Sequence, residues 1–558
     1  MKRHIALWIF IVIWCIATPN VIMADTLQDS EGTSYKEVTG YGELTNLIVT
    51  NYEKGIFETN YAITLHVDNA ATLSQQQIND AFYTWIDDFY MAYQTSGELI
   101  AGYPAEYTTY FVDQHEDGEN ITYLNVFELN VDVPYEDIQA LWAFEDNIAS
   151  QIREVAATDL DKVLYVTDFV QRHYGYSYDT TVTPHSHVAF FKDGFGVCQA
   201  YALMTGELLE RLGMNVKYVL GYITHEDGTV EQHAWNLVEV DGEWLNVDTT
   251  WSDPYYPVKG AASYNYMMSD SLIAYDHERE DTNLPQATEK KYEVLTSHYT
   301  MTHDERYIYA ESKIGVIERF SKATMEKIEM PVYISGTNLW VNDVYLYYID
   351  IDTSSLKRWN ILTNNIEYLA PNVTAFHAEN GVLVYEREEQ QVKSTIQVVD
   401  EFAPSYKRLA FYWDEKIRAL AGDHLTSDSV TAAEQTFNEL PVQAKILTTE
   451  QFRFKELKRS AKVLARAKKQ RIVWQGSTYI QQNQEIKVRV KKHIPAALRP
   501  YVEMQIVDEH GTIQQATVTY EGREVTVIPN VILEDDKTYY LRITPNSGTA
   551  YKVPLVIR

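Results

Sequence analysis

A thiol, an imidazole and a carboxylate occur in the order Cys198, His233, Asp248, each in a local sequence that indicates how it is presented. Gly194 and Gly196 allow a tight backbone turn just before Cys198. Beyond it, Tyr201, Met204, Leu208 and Leu212 recur at steps of three and four, and Gly213 is a natural stop, so the segment is expected to be helical. Cys198 then opens a helix. Unpaired amide hydrogens and the positive end of the helix dipole favour an anion there, and a thiol so placed is expected to ionise more readily than the free value of about 8.5 suggests.

A thiolate nucleophile needs a base and a group that orients the base. After the helix, Val216, Tyr218, Leu220 and Tyr222 alternate like a half-buried strand. Two more strands are expected, His233 to Val240 and Glu243 to Trp251, turning on the hairpin dipeptide Asp241-Gly242. With that loop, Val240 pairs with Glu243, Trp235 with Asp248 and His233 with Thr250. His233 and Asp248 then emerge on one face as diagonal neighbours, about 7 Å apart before side-chain reach. The order fits nucleophile, general base and the partner that fixes the base's tautomer.

At these residues the chain resembles the transglutaminase-like superfamily, whose fold is related to papain-like cysteine proteases. The likeness rests on GVCQAYALM at 196–204, HAWNLVEVDGEWLNVD at 233–248 and TTWSDP at 249–254, with SYNYMMSD at 263–270 resembling a segment that often follows. It spans roughly residues 155 to 275. It implies Cys198 as nucleophile, His233 as base and Asp248 as its partner. Transglutaminases of the animal type place a Trp upstream of the cysteine at the oxyanion, and no Trp lies between Trp142 and Cys198 here. The second oxyanion donor, beside the Cys198 backbone amide, is therefore unassigned.

Plainer accounts compete with the chemical ones. A lone cysteine is most often a small buried hydrophobe; the glycine turn, the helix start and the hairpin parity argue for use instead. Trp235, Trp244 and Trp251 fit a core better than a substrate platform. His185 and His187, upstream of Cys198, have no cysteine or carboxylate at ligand spacing, which favours a loop or cleft role over a metal. No calcium-loop pattern is present, and no cofactor is expected.

The formal net charge of −32 argues against nucleic acid as a partner, because phosphate binding needs a basic surface. Residues 1–24 read as a signal peptide: Lys2 and Arg3, an apolar run from Ile5 to Ala17, and Ala24 as cleavage point. That run is too short to span a bilayer. Cleavage would remove Cys15 and leave Cys198 as the single thiol of an exported, secreted or cell-surface protein without a transmembrane anchor.

At 558 residues several domains are expected. Residues 25–155 read as an N-terminal α+β domain. Its signals are a strand at Tyr61–Val67, a helix capped by Ser74 and Gln77, strands near Tyr107–Asp113 and Ile121–Val133, and a helix introduced by Pro134. Residues 156–285 form the catalytic domain, opening on a helix capped by Thr158 and Asp161. In 290–410, Tyr307-Ile308-Tyr309, Tyr345-Leu346-Tyr347 and Leu383-Val384-Tyr385 recur every 38 residues behind Asp304, Asn342 and Asn380. That period suggests an incomplete, propeller-like β-meander. A helical basic linker fills 411–470. Thr448 and Gln451 cap its last helix, where nine cations from Arg453 to Arg471 are offset only by Glu456; a solvated face or an acidic neighbour accounts for most such runs, an anionic cell-envelope polymer being the partner hypothesis. Alternation over 471–558 suggests an immunoglobulin-like β-sandwich.

The expected architecture is thus multidomain α+β around a transglutaminase-like, papain-like core. The expected activity is attack on amide bonds of proteins or envelope peptides through a Cys-His-Asp triad and a thioester, with hydrolysis favoured over cross-linking. The competing expectation is a catalytically silent surface scaffold.

Overall fold

In this computed structural model the structure describes residues 133–468 except 226, 255–259, 281–282, 388–389 and 421–423, and residues 502–557 except 535–536 and 545–550. Elsewhere it describes shorter stretches, several as backbone only. The leader read at 1–24, with Cys15, lies outside the described residues, as do Lys469 and Arg471 of the basic run. The chain divides into two compact units, Met1–Pro404 and Ser405–Arg558. No helix among the described residues is long and apolar enough to cross a membrane.

The first unit opens on a five-stranded sheet in which Glu58–Val67 and Ala105–Asp117 flank Asn120–Val131, both antiparallel to it. Ser74 and Gln77 make the reciprocal capping bonds expected of them, 2.9 and 3.3 Å. Pro134 precedes the helix Tyr135–Val155, which buries Ile138, Leu141, Ile148 and Ile152. Thr158 and Asp161 form a complete capping box at the start of Asp159–His173, whose Val163, Val166, Phe169 and Val170 all face inward.

These helices pack around the helix Cys198–Arg211, in which every residue from Ala200 to Leu209 is buried. Leu203, Met204, Leu208 and Leu209 are fully enclosed. At roughly 1.5–3 kcal/mol for each such side chain, packing holds the helix far more firmly than its propensity would. Its other side rests on an antiparallel sheet ordered Met267–Met268, Glu243–Val247, Val230–Val240, Val216–Thr224, His277–Arg279.

The repeat region builds three antiparallel sheets of four, four and three strands over residues 298–397. The 38-residue recurrence has a structural counterpart, since Tyr307 and Tyr345 each open the second strand of a sheet and each lies under an arginine from the next strand. Arg319 is 4.4 Å above the first ring and Arg358 4.0 Å above the second. Met301, Ile308, Ala310 and Phe320 of the first sheet belong to the same apolar core as the helices around Cys198–Arg211.

In the second unit, helices Tyr406–Ala419, Ser427–Glu439, Val442–Leu447 and Gln451–Lys468 share a core around Trp413. Gln451 does reach Thr448, at 2.6 Å, but the amides of Thr449 and Glu450 bind Asp414 of the first of these helices. Phe454, Leu457 and Ala461 of the basic helix are buried, whereas Lys455, Arg459 and Lys462 are exposed and Lys458 pairs with Glu434. The remaining strands form two sheets with a common core that includes Ile486, Val488, Met504, Ile506, Val525, Val527, Tyr539 and Leu541.

Candidate active site

Cys198 is the first residue of its helix and is half-buried. The turn that delivers it depends on two glycines for different reasons. Gly194 ends the preceding helix, His187–Asp193, in the left-handed region with φ of 75°. Gly196 lies so close to the helix that a Cβ would meet the Cβ of Ala200 at 2.7 Å and the ring of Phe190 at 2.9 Å. Val197, at the N-cap, offers no side-chain cap, so the first amides of the helix are not claimed by it.

His233 stands on Val230–Val240, opposite Gly221 of Val216–Thr224. A side chain at Gly221 would come within 2.2 Å of the Glu278 carbonyl, so glycine there lets the edge strand His277–Arg279 approach. The hairpin has the expected register, Glu243 opposite Val240, with Asp241 and Gly242 both at positive φ. Its second strand is shorter than expected: it ends at Val247, and Asp248 is the N-cap of a short helix, Thr249–Ser252. His233 therefore has no ladder partner at Thr250.

That change of structure orients Asp248. Its Oδ1 accepts hydrogen bonds from the backbone amides of Thr250 at 2.9 Å and Trp251 at 3.1 Å. Its Oδ2 accepts from His233 Nε2 at 2.7 Å and from His277 Nε2 at 3.0 Å. The carboxylate is 1% exposed, and burial alone would raise its pKa, but the charge and hydrogen bond of His233, then those of His277, hold it below the usual carboxylate range. For His233 burial acts to lower the pKa; the Asp248 carboxylate outweighs it and, with Cys198 as a further hydrogen-bonding partner, pushes it up to about 10. With Nε2 committed to Asp248, Nδ1 is the ring nitrogen left for the thiol.

The structure thus brings Cys198, His233 and Asp248 together, and it adds His277 to them. The aromatic residues sort differently from one another. Trp235 is core: it is 1% exposed, it donates to Asn246 Oδ1 at 2.9 Å, and its ring lies alongside His233. Trp251 is half-buried and sits over His277 and His233, at 5.1 and 6.3 Å between ring centres, forming a wall of the site. Tyr218 is buried, its hydroxyl has no hydrogen-bond partner of ordinary length among the described residues, and Gln199 and Cys198 are polar neighbours. His187 has no cleft role. It is fully enclosed against the Tyr103 hydroxyl at 2.8 Å, and burial, with the nearby Arg211 charge, lowers its pKa to about 3.

His233, Asp248 and His277 are also the one cluster among the described residues with the donor types of a metal site. Their donor atoms are already engaged with one another at 2.7 and 3.0 Å, and an ion could enter only by parting those bonds.

Residues 146–249 match the family model of the transglutaminase-like superfamily. Among solved structures, the chain is similar to a TGase, with 13% identity, 35% of this chain and 51% of that one covered, and a TM-score of 0.17. It is also similar to a candidate cysteine protease from Cytophaga hutchinsonii, with 14% identity, 33% and 82% covered, and a TM-score of 0.17. The chain spans about half the length of the first of these. No curated protein matches it. The matched span begins within the helix Tyr135–Val155 and ends one residue beyond Asp248, so the part of the chain that carries Cys198, His233 and Asp248 is a transglutaminase-like domain.

Proposed function

We propose that this chain is an extracytoplasmic thiol enzyme that cleaves amide bonds of proteins or cell-envelope peptides through a thioester on Cys198. The observation that carries the reading is the 2.7 Å bond from His233 Nε2 to an Asp248 carboxylate that two backbone amides hold in place, beside a half-buried thiol at a helix start. In the reaction, the sulfur of Cys198 attacks the amide carbonyl and His233 gives its proton to the departing nitrogen. Asp248 keeps the imidazole oriented and balances its charge. The carbonyl oxygen is received by the Cys198 amide. Water then attacks the thioester, His233 taking its proton, and the acid is released as the thiol re-forms.

Water is favoured over an amine as the second nucleophile. Transfer to an amine requires the thioester to outlast water at ~55 M, and so needs a dry passage that orients the amine. Trp251 supplies one aromatic wall, while Trp235 is spent in the core. The test is incubation with a glutamine-containing protein and a labelled primary amine, with Cys198→Ala as control. Release of ammonia or peptide should exceed label incorporation. Cysteine-dependent incorporation that outpaces release would reverse the preference, and neither product alongside an unreactive thiol would favour the silent scaffold.

The three repeat sheets are read as an incomplete propeller-like module and the C-terminal sheets as an immunoglobulin-like spacer. The exposed Lys455, Arg459 and Lys462 suit an anionic envelope polymer. Retention on envelope preparations should then fall as salt is raised and fall again when these three become Gln. Retention unchanged by both would remove the polymer.

A further inference from the structure

We infer that His277 is a positioning residue for this site, a second, cationic imidazole on Asp248 that restrains the basicity of His233. The inference rests on the triad reading above and deepens it.

The geometry decides the charge of the ring. His277 Nε2 lies 3.0 Å from Asp248 Oδ2, and Nδ1 lies 2.5 Å from Asp276 Oδ1. A neutral imidazole has one N–H and one lone pair, so one of its nitrogens would turn a lone pair toward a carboxylate. With both carboxyl groups ionised, both contacts are attractive only when both nitrogens carry protons. The ring is 4% exposed and is enclosed edge-on by Trp235 and Trp251, each 5.1 Å away between ring centres, so water cannot take either place. Asp276 is fixed in turn by the Tyr266 hydroxyl, which donates to its Oδ2 at 2.9 Å.

Among the described residues, the charged and titratable neighbours of His277 are Asp248, Asp276, His233 and Tyr266, whose ring centre is 5.6 Å away and whose hydroxyl binds Asp276. Arg279, two residues along the strand, is turned to Asp270 and Asn246. Burial opposes the charge, but the hydrogen bonds to Asp248 and Asp276 outweigh it, raising the pKa of His277 despite the proximity of His233. The His233 and His277 rings are 5.3 Å apart and share one carboxylate oxygen. Alone, Asp248 would hold the His233 proton so tightly that the imidazolium would be a poor donor to a leaving amine. The second cation draws on the same negative charge and repels the first, which makes His233 a better acid while leaving it oriented.

The test is the pH profile of alkylation of Cys198 by iodoacetate, an anion drawn in by the His233 imidazolium, so that the alkaline fall in rate reports loss of that proton. Asp276→Asn isolates charge from packing: its amide can still donate to His277 Nδ1, leaving a neutral ring that bonds to Asp248. The sign follows from the charge. With the His277 cation gone, His233 holds its proton to higher pH. The alkaline limb should move up by roughly one to two pH units in Asp276→Asn and in His277→Gln, the size expected of a unit charge about 5 Å away at an effective dielectric constant of about 20–40. The rate at pH 10.5 should then no longer fall.

A merely structural His277 would lower the rate at every pH or lower the melting temperature, with the limb in place, and that result overturns the inference. A limb that moves with EDTA or added zinc in the wild type would make the cluster a metal centre and also overturn it. Failure of the triad reading looks different, as a wild-type profile that His233→Ala does not change.

Discussion

Replacing His233 by alanine should cut Cys198-dependent amide cleavage by ~10²- to 10⁴-fold, the usual contribution of a positioned acid-base group. The same change should slow alkylation of Cys198 at neutral pH and remove its dependence on a second titrating group. Both effects follow from one geometry. His233 is 3% exposed, and Asp248 claims its Nε2 at 2.7 Å, so the ring cannot turn away and only Nδ1 is left for the sulfur. Removing the imidazole takes away the proton donor for the leaving amine and the counter-charge for the thiolate together. The measurement is turnover of a glutamine-containing protein beside the alkylation rate from pH 5 to 11, with Cys198→Ala as the blank. An alkylation profile identical in wild type and His233→Ala would remove His233 from the site.

The second large effect concerns stability. Arg172, on the helix Asp159–His173, is 9% exposed and donates to the carbonyls of Gly260 at 2.9 Å, Met301 at 3.3 Å and Leu339 at 2.9 Å. Its Nε also reaches Asp168, one turn earlier, at 3.3 Å. One planar guanidinium thus satisfies groups from three segments more than 80 residues away in sequence. Arg172→Ala would leave those carbonyls without this donor and the Asp168 carboxylate without its counter-charge, held among the described residues only by the Tyr264 hydroxyl, at a cost of about 3–5 kcal/mol, the range for breaking a buried charge pair. Arg172→Lys should recover little, because an ammonium cannot span the same fork. Urea denaturation of the full chain tests both, and a loss below about 1 kcal/mol for the alanine variant would mean the segments are held together otherwise.

Local signals in the sequence carried the cysteine helix, the capping boxes and the hairpin register, because each is settled within a few residues. The parity of His233 and Asp248 follows from that register, and the pair is hydrogen-bonded. The second hairpin strand ends at Val247 rather than at Trp251, because the hairpin dipeptide fixes where the strand begins and not where it stops. An Asp ahead of Thr249 and Thr250 is also an N-cap pattern, and in the structure the capping reading prevails. His277 was invisible for a different reason. It lies 29 residues beyond Asp248 in a three-residue edge strand, and only the order of the sheet brings it back to the same carboxylate. Trp235 and Trp251 were indistinguishable by type; what separates them is a hydrogen bond to Asn246 and a helix start, neither of which has a periodic signature.

Met301, Ile308, Ala310 and Phe320 lie in one apolar core with the helices that carry the nucleophile, and this limits where the chain can be divided. A gene fragment ending after the family match at residue 249, or even after the edge strand at Arg279, would encode a protein whose core lacks those four side chains together with Tyr292, Leu295, Met325 and Phe402. The repeat region therefore cannot be exchanged for another appendage of the transglutaminase-like domain without redesigning the apolar surface beneath it. A protease that nicks the link between them should leave fragments that stay associated until denatured.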